Sequence, residues 1–259
     1  MRRRAHELSH LKRQLLALSI IFISLLSATT FLMSQYTSRV KVSLDVADIN
    51  SNTITQYEQY VNQYYNQNTI ERFSFFLDPH KLLAFIQSNF PEVERLVSIE
   101  QKGIFTAETT LHLSTRIPVA KWTISDQDYF VDGVGKAFTT NYHDDPAVHI
   151  TDENHLNIKL GETTIASNRF LEFVGRLVSD LHSQGLSVSR AVIPVGMSRE
   201  FDVVVEGYSY RFKLSIDRSP AEQAEDIKRI LKHFDLNPRQ VSSGVEYIDI
   251  RTVGKAFYR

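Results

Sequence analysis

His143-Asp144-Asp145, His149, Asp152, Glu153 and His155 crowd into one short stretch, the best candidate in this chain for chemistry. Imidazoles and carboxylates are zinc or iron ligands, and a loop folded back on itself can bring two or three together. A metal held there would point to a hydrolase. The spacing argues against it: there is no His-Glu-x-x-His and no helical pair of histidines four apart. A solvated loop between strands explains the same composition. Ser38-Arg39-Val40-Lys41 has the Ser-x-x-Lys spacing of penicillin-binding enzymes but lacks the Ser-Asp-Asn and Lys-Thr-Gly companions. No Gly-x-Ser-x-Gly elbow occurs, and Gly133-Val134-Gly135 reads as a turn rather than a dinucleotide fingerprint. With no cysteine in the chain, thiol nucleophiles, Cys-ligated metals and disulfides are excluded. The charges nearly balance, so no basic field argues for nucleic acid. The reading is a chain with no catalytic residue, no metal and no cofactor. Its rival is a membrane-anchored, extracytoplasmic, metal-dependent hydrolase using the His143–His155 loop.

The element that positions everything else is Leu15–Met33, a run with no charge, no Pro and no Gly. A hydrocarbon core about 30 Å thick needs roughly 20 helical residues to cross, which this run matches. Its polar members are Ser and Thr, whose hydroxyls can bond to the carbonyl one turn back, so the segment satisfies itself in lipid. A cleaved signal has a shorter apolar region and a small-x-small site, whereas Phe31-Leu32-Met33-Ser34-Gln35 follows here. Arg2, Arg3, Arg4, Lys12 and Arg13 precede the run against one acid, Glu7. The positive-inside rule then holds residues 1–14 in the cytoplasm, passes 15–34 through the membrane once and exports the rest, as a single-pass type II protein.

Beyond the anchor, Val40–Val46 alternates as a strand, and Thr53 with Gln56 forms a capping box for a helix bearing Ile54, Tyr57, Val61 and Tyr64 on one face. Ser74–Leu77 reads as a short strand. Asp78-Pro79 caps a second helix whose Leu82, Leu83 and Ile86 are buried and which Pro91 ends. Val93, Val97 and Ile99 alternate inward, Lys102-Gly103 turns, and Thr109, Leu111, Leu113 and Thr115 alternate on the return. Two helices over a hairpin make one small α+β domain, 38–117.

From Pro118 strands dominate: Val119–Ile124, Tyr129–Val131, Lys136–Phe138, then the His/Asp loop. Asn168 caps a helix with Phe170, Val174, Leu177 and Leu181 on one face, and Gly185 stops it. Val188–Ile193, Phe201–Glu206 and the long alternation Tyr208–Ile216 are strands. Asp217 and Arg218 read as surface charges before a helix opened by Ser219-Pro220 and Glu222, buried through Ala224, Ile227, Leu231 and Phe234, and broken by Asn237-Pro238. Val245–Arg251 is the last strand, with Lys255–Tyr258 extending it. The second domain, 118–252, is mostly antiparallel β with two helices, and 253–259 is a tail.

Arg116-Ile117-Pro118-Val119-Ala120-Lys121-Trp122, Tyr129-Phe130-Val131-Asp132-Gly133-Val134-Gly135-Lys136-Ala137-Phe138 and the closing Tyr247-Ile248-Asp249-Ile250-Arg251 resemble the signature of the FtsQ/DivIB family of bacterial division proteins. The layout is similar over nearly the whole chain. The resemblance implies a POTRA domain (β-α-α-β-β) followed by a β domain, and a non-enzymatic scaffold enriched at the division septum. It also implies FtsB/DivIC-like and FtsL-like coiled-coil partners and an influence on septal peptidoglycan synthesis. Family members bind their partner at the end of the β domain, which carries over here to Tyr247, Ile248, Asp249, Ile250, Arg251 and Thr252 as an open edge strand. Beta-augmentation would supply the affinity, through unpaired backbone groups on that edge. The alternative for Asp249 and Arg251 is that they pair only with sheet neighbours.

Overall fold

A computed structural model of the chain describes residues 2–47, 49–102, 108–154, 158–161, 164–197, 199–236 and 244–259. Its N-terminal helix α1 spans Arg2–Ser34. The portion Arg13–Ser34 has mean hydropathy 2.3 and none of its apolar window is buried, so it is long and apolar enough to cross a membrane. The hydroxyls behave as lipid requires: Ser19 donates to the Leu15 carbonyl at 2.8 Å, and Thr29 and Thr30 both donate to that of Leu26.

Two compact units follow from the contacts. The first takes α1 and runs to Asn89, adding Val93–Thr115; the second takes Phe90–Glu92 and Arg116 onward. In the first, β1 (Arg39–Leu44), α2 (Ser51–Gln67), a 3-10 turn (Thr69–Arg72), α3 (Pro79–Asn89), β2 (Val93–Lys102) and β3 (Glu108–Thr115) succeed one another. The sheet order is β1-β3-β2, with β1 parallel and β2 antiparallel to β3. Tyr57, Val61 and Tyr64 of α2 and Leu82 and Ile86 of α3 are buried with Val40, Val42, Leu111 and Leu113 of the sheet. Each such side chain contributes roughly 1.5–3 kcal/mol of burial.

Three local expectations change. Asn50, not Thr53, caps α2, accepting from the Asn52 amide at 3.0 Å, because its short carboxamide sits one residue outside the first turn. Ser74–Leu77 is a turn rather than a strand, since only Phe73 makes a bridge, to Tyr36. Val97 is exposed because irregularities between Val93 and Arg95 and between Leu96 and Ser98 break the period-two register. The turn expected at Gly103 lies outside the described residues, as does the break at Asn237-Pro238.

Among its described residues the second unit forms one nine-stranded sheet, ordered β12-β11-β10-β9-β8-β7-β4-β5-β6. Its strands are β4 (Pro118–Ile124), β5 (Gln127–Asp132), β6 (Ala137–Phe138), β7 (His149–Asp152), β8 (Val188–Ile193), β9 (Glu200–Val205), β10 (Arg211–Ser215), β11 (Tyr247–Asp249) and β12 (Phe257–Tyr258). Helices α4 (Asn168–Ser183) and α5 (Pro220–Leu236) pack on one another, and their apolar faces share a core with Trp122, Ile150, Phe201, Phe212, Leu214 and Ile248. Ser167, not Asn168, caps α4, its hydroxyl accepting from the Phe170 amide. The alternation from Tyr208 yields a strand only from Arg211, after the turn at Glu206-Gly207. A strand, β7, stands where a loop is expected; it runs parallel to both β4 and β8, so its pairing partners are remote in sequence.

Candidate partner-binding edge

The closing residues occupy β11 and the turn behind it. Strand β11 pairs in parallel with β10 (Arg211↔Tyr247, Phe212↔Ile248, Lys213↔Asp249), and antiparallel with β12 (Ile248↔Tyr258, Asp249↔Phe257). It is therefore not the open edge that the family resemblance implies. The last residues do not prolong β11 but fold back over it, through a turn closed by the Lys255 amide on the Thr252 carbonyl at 3.2 Å. Gly254 sits in that turn at φ +71°, where a side chain would be strained. Among the described residues the outermost strand is β12, with Phe257 56% and Tyr258 62% exposed. Arg259 exchanges hydrogen bonds with Tyr247, donating to its carbonyl at 3.2 Å. Antiparallel pairs alternate, so the N–H and C=O of Tyr258 are directed away from β11.

Six residues predicted for partner contact thus divide by role. Ile248 and Ile250 are core, both essentially buried. Tyr247 lies under Lys213, whose Nζ is 3.9 Å from the ring centroid. Arg251 grips Asp249 with Nε at 2.9 Å and Nη2 at 2.5 Å, and also meets Glu200 on β9. That grip holds the Asp249 carboxyl below its ordinary range against opposing burial, and Asp249 and Glu200 raise the affinity of Arg251 for its proton. Thr252 is exposed in the turn. Asp249 and Arg251 accordingly pair with sheet neighbours and brace the hairpin.

Across the strands, Asp202 of β9, Lys213 of β10, Asp249 of β11 and Phe257 of β12 stand in one row on the face away from the helices. The signs alternate until the row ends in an exposed ring. Burial raises the pKa of Asp202, partly countered by Lys213 and Arg211.

Arg218, expected on the surface, is enclosed: its side chain is 9% exposed, Nη1 donates to the Ile250 carbonyl, and Nη2 meets Asp226 of α5 at 2.9 Å. It ties the end of β11 to the helix. Sequence reading missed it because Ser219-Pro220 is a helix start, where a preceding charge is ordinarily solvated; only the Asp226 carboxylate, eight positions on, hinted at a partner.

Arg116-x-Pro-Val-Ala-x-Trp and its companion segment are structural. Buried Arg116 meets Asp132 at 2.5 Å and donates to the Pro91 carbonyl at 2.9 Å. Asp132 also accepts from the amides of Val134 and Lys136. Gly135 has φ +82°, and a Cβ there would fall 1.9 Å from the Ala166 carbonyl oxygen. Trp122 donates its indole N–H to buried Asp152 at 3.3 Å, and Asn154 binds the same carboxylate. Asp152 is thereby committed to a fold contact. His149 is exposed on β7, while His143, Asp144 and Asp145 border a separate surface depression with Tyr142 and Pro146. His155 lies outside the described residues. Among the described residues no three His, Asp or Glu side chains gather as a metal site. No protein-family model matches the sequence, and neither does any curated protein.

Proposed function

We propose that the chain is a single-pass scaffold of the FtsQ/DivIB type, whose exported body captures FtsB/DivIC-like and FtsL-like coiled-coil proteins at the division septum and helps control septal peptidoglycan synthesis. The membrane-compatible helix, the β-α-α-β-β order of the first unit, which is the order expected of a POTRA domain, and the strand-rich second unit support this reading. The observation that carries it is β12: a two-residue, side-chain-exposed strand ending a nine-stranded sheet. An unpaired strand edge is a template for an incoming strand. Capture then takes place on β12, one strand further out than Tyr247–Thr252, and those residues hold β12 in place.

Tyr258→Pro removes the outward donor of β12 without deleting a hydrogen bond to β11. In a pull-down of the coiled-coil partner by the full chain, this variant should weaken capture by about tenfold or more, equivalent to about 1.4 kcal/mol. Unchanged capture would overturn the β12 assignment. A fluorescent fusion in dividing cells tests the wider reading: a band at mid-cell supports it, and a uniform rim refutes it.

A further inference from the structure

We infer that the segment Ile70–Phe76 is a membrane foot: its exposed apolar side chains insert into the lipid interface beside the exit of α1. The inference rests on the reading that α1 lies in a bilayer. At 1.5 Å per residue, the 22 residues of Arg13–Ser34 span roughly 33 Å, about the hydrocarbon thickness, so Ser34 lies near the outer boundary of the acyl region.

The chain then pins a distant loop to that exit point. The Ser74 amide donates to the Gln35 carbonyl at 3.0 Å, the Ser74 hydroxyl bonds Gln35 Oε1 at 2.5 Å, and the Thr37 amide donates to the Arg72 carbonyl at 2.7 Å. Tyr36 bridges Phe73, and their rings meet edge-on at 5.2 Å. Phe73 touches Phe75 at 5.7 Å, and Phe75 touches Phe76 at 4.6 Å. A continuous line of rings therefore starts at Tyr36, two residues after the apolar helix ends.

Its outer members are bare: Ile70 is 66%, Phe75 53% and Phe76 58% exposed. Consecutive Cα atoms are about 3.8 Å apart, so Phe75 and Phe76 stay within about 8 Å of Ser74. The headgroup layer is itself roughly 5–8 Å deep on each side of the hydrocarbon. Groups tethered this closely to the exit have the interface within reach. Aromatic side chains favour that zone, and interfacial segments bury their apolar face about 5–10 Å into it. The occupant is thus the lipid of the membrane that holds α1, because the exposed patch is continuous with the membrane-compatible helix.

The chain has no cysteine, so single labels are clean. Full-length protein carrying Phe76→Cys, Ile23→Cys or Ala47→Cys, each labelled with NBD, is reconstituted in phosphatidylcholine–phosphatidylglycerol vesicles. Quenching is read with lipids spin-labelled near the headgroup or at the chain centre. The expected result is strong shallow quenching at position 76, deep quenching at 23 and little at 47. Phe75→Asp added to the Phe76→Cys protein should lower the shallow quenching several-fold. If 23 is quenched deeply while 76 matches 47, the foot is wrong and the anchor stands. The foot is equally wrong if 76 becomes shielded only when a partner protein is added. If 23 escapes the deep quencher, the membrane reading fails and the foot falls with it.

Discussion

The two ends of the nine-stranded sheet are built in opposite ways. At one end, β6 has both residues buried, and its own chain walls it in: Gly161 donates to the Ala137 carbonyl at 3.0 Å, Ile165 donates to that of Gly135 at 2.9 Å, and Thr164 bridges Lys136. The neighbouring turn is fixed by the buried Arg116–Asp132 pair. At the other end, β12 has both residues exposed and beyond it lies no further strand among the described residues. Exposed edges invite pairing, and proteins ordinarily cover them. One end is enclosed by its own chain; at the other, among the described residues, Arg251 and Arg218 brace β11 and the residues that follow it.

Removing a partner at the closed end should have the largest consequence. Asp132→Ala leaves Arg116 buried without its carboxylate and the Val134 and Lys136 amides without their acceptor. A loss of about 3–5 kcal/mol in urea unfolding is expected, and a loss under about 1 kcal/mol would show that the pair does not seal that end. Arg218→Met comes next: it strips the Ile250 carbonyl and Asp226 of their donor, for about 1–3 kcal/mol. Amide exchange should quicken around Tyr247–Arg251 and stay unchanged in β4 and β5. Exchange that rises equally at both ends would erase the contrast.

Smaller effects come from pH. The Asp249 carboxyl, held low by Arg251, stabilises the fold fully above the ordinary carboxylate pKa, and that stability is lost as pH falls through its depressed value. Asp202, raised by burial, acts in reverse: between the ordinary value and its raised one, stability falls as pH rises. Asp249→Asn should therefore weaken, and Asp202→Asn strengthen, the protein at neutral pH, each by about 1 kcal/mol or less. Denaturant titrations at acid and neutral pH check both signs. Smallest of all is Tyr258→Pro, whose effect on stability should lie within about 0.5 kcal/mol although partner capture weakens about tenfold or more.

Much of this architecture is legible along the chain. The faces of α2, α3, α4 and α5 follow from apolar residues at helical spacing, since a helix buries whichever stripe is apolar. Asp78-Pro79 opens α3 as expected, its carboxylate accepting from the His80 amide at 3.0 Å. Caps were less legible: Asn50 and Ser167 lie beside equally good alternatives, and only the backbone angles of the first turn select one. Strand β7 was hidden because His149–Asp152 carries polar residues that suit a loop equally well, and its pairing depends on β4 and β8. Of the closing segment, the strand was legible but its place in the sheet was not.

Composition alone determines that Leu15–Met33 is compatible with a bilayer, because every residue in it agrees and no neighbour is needed. It likewise rules out disulfides and thiol chemistry. What only the tertiary structure decided is which strand lies outermost. Alternation from Val245 says that a strand forms; it does not say which strands flank it, because the hydrogen bonds that rank strands join residues far apart in sequence. Arg218 became an internal strut for the same reason: its carbonyl partner, Ile250, reaches it only when the sheet is assembled.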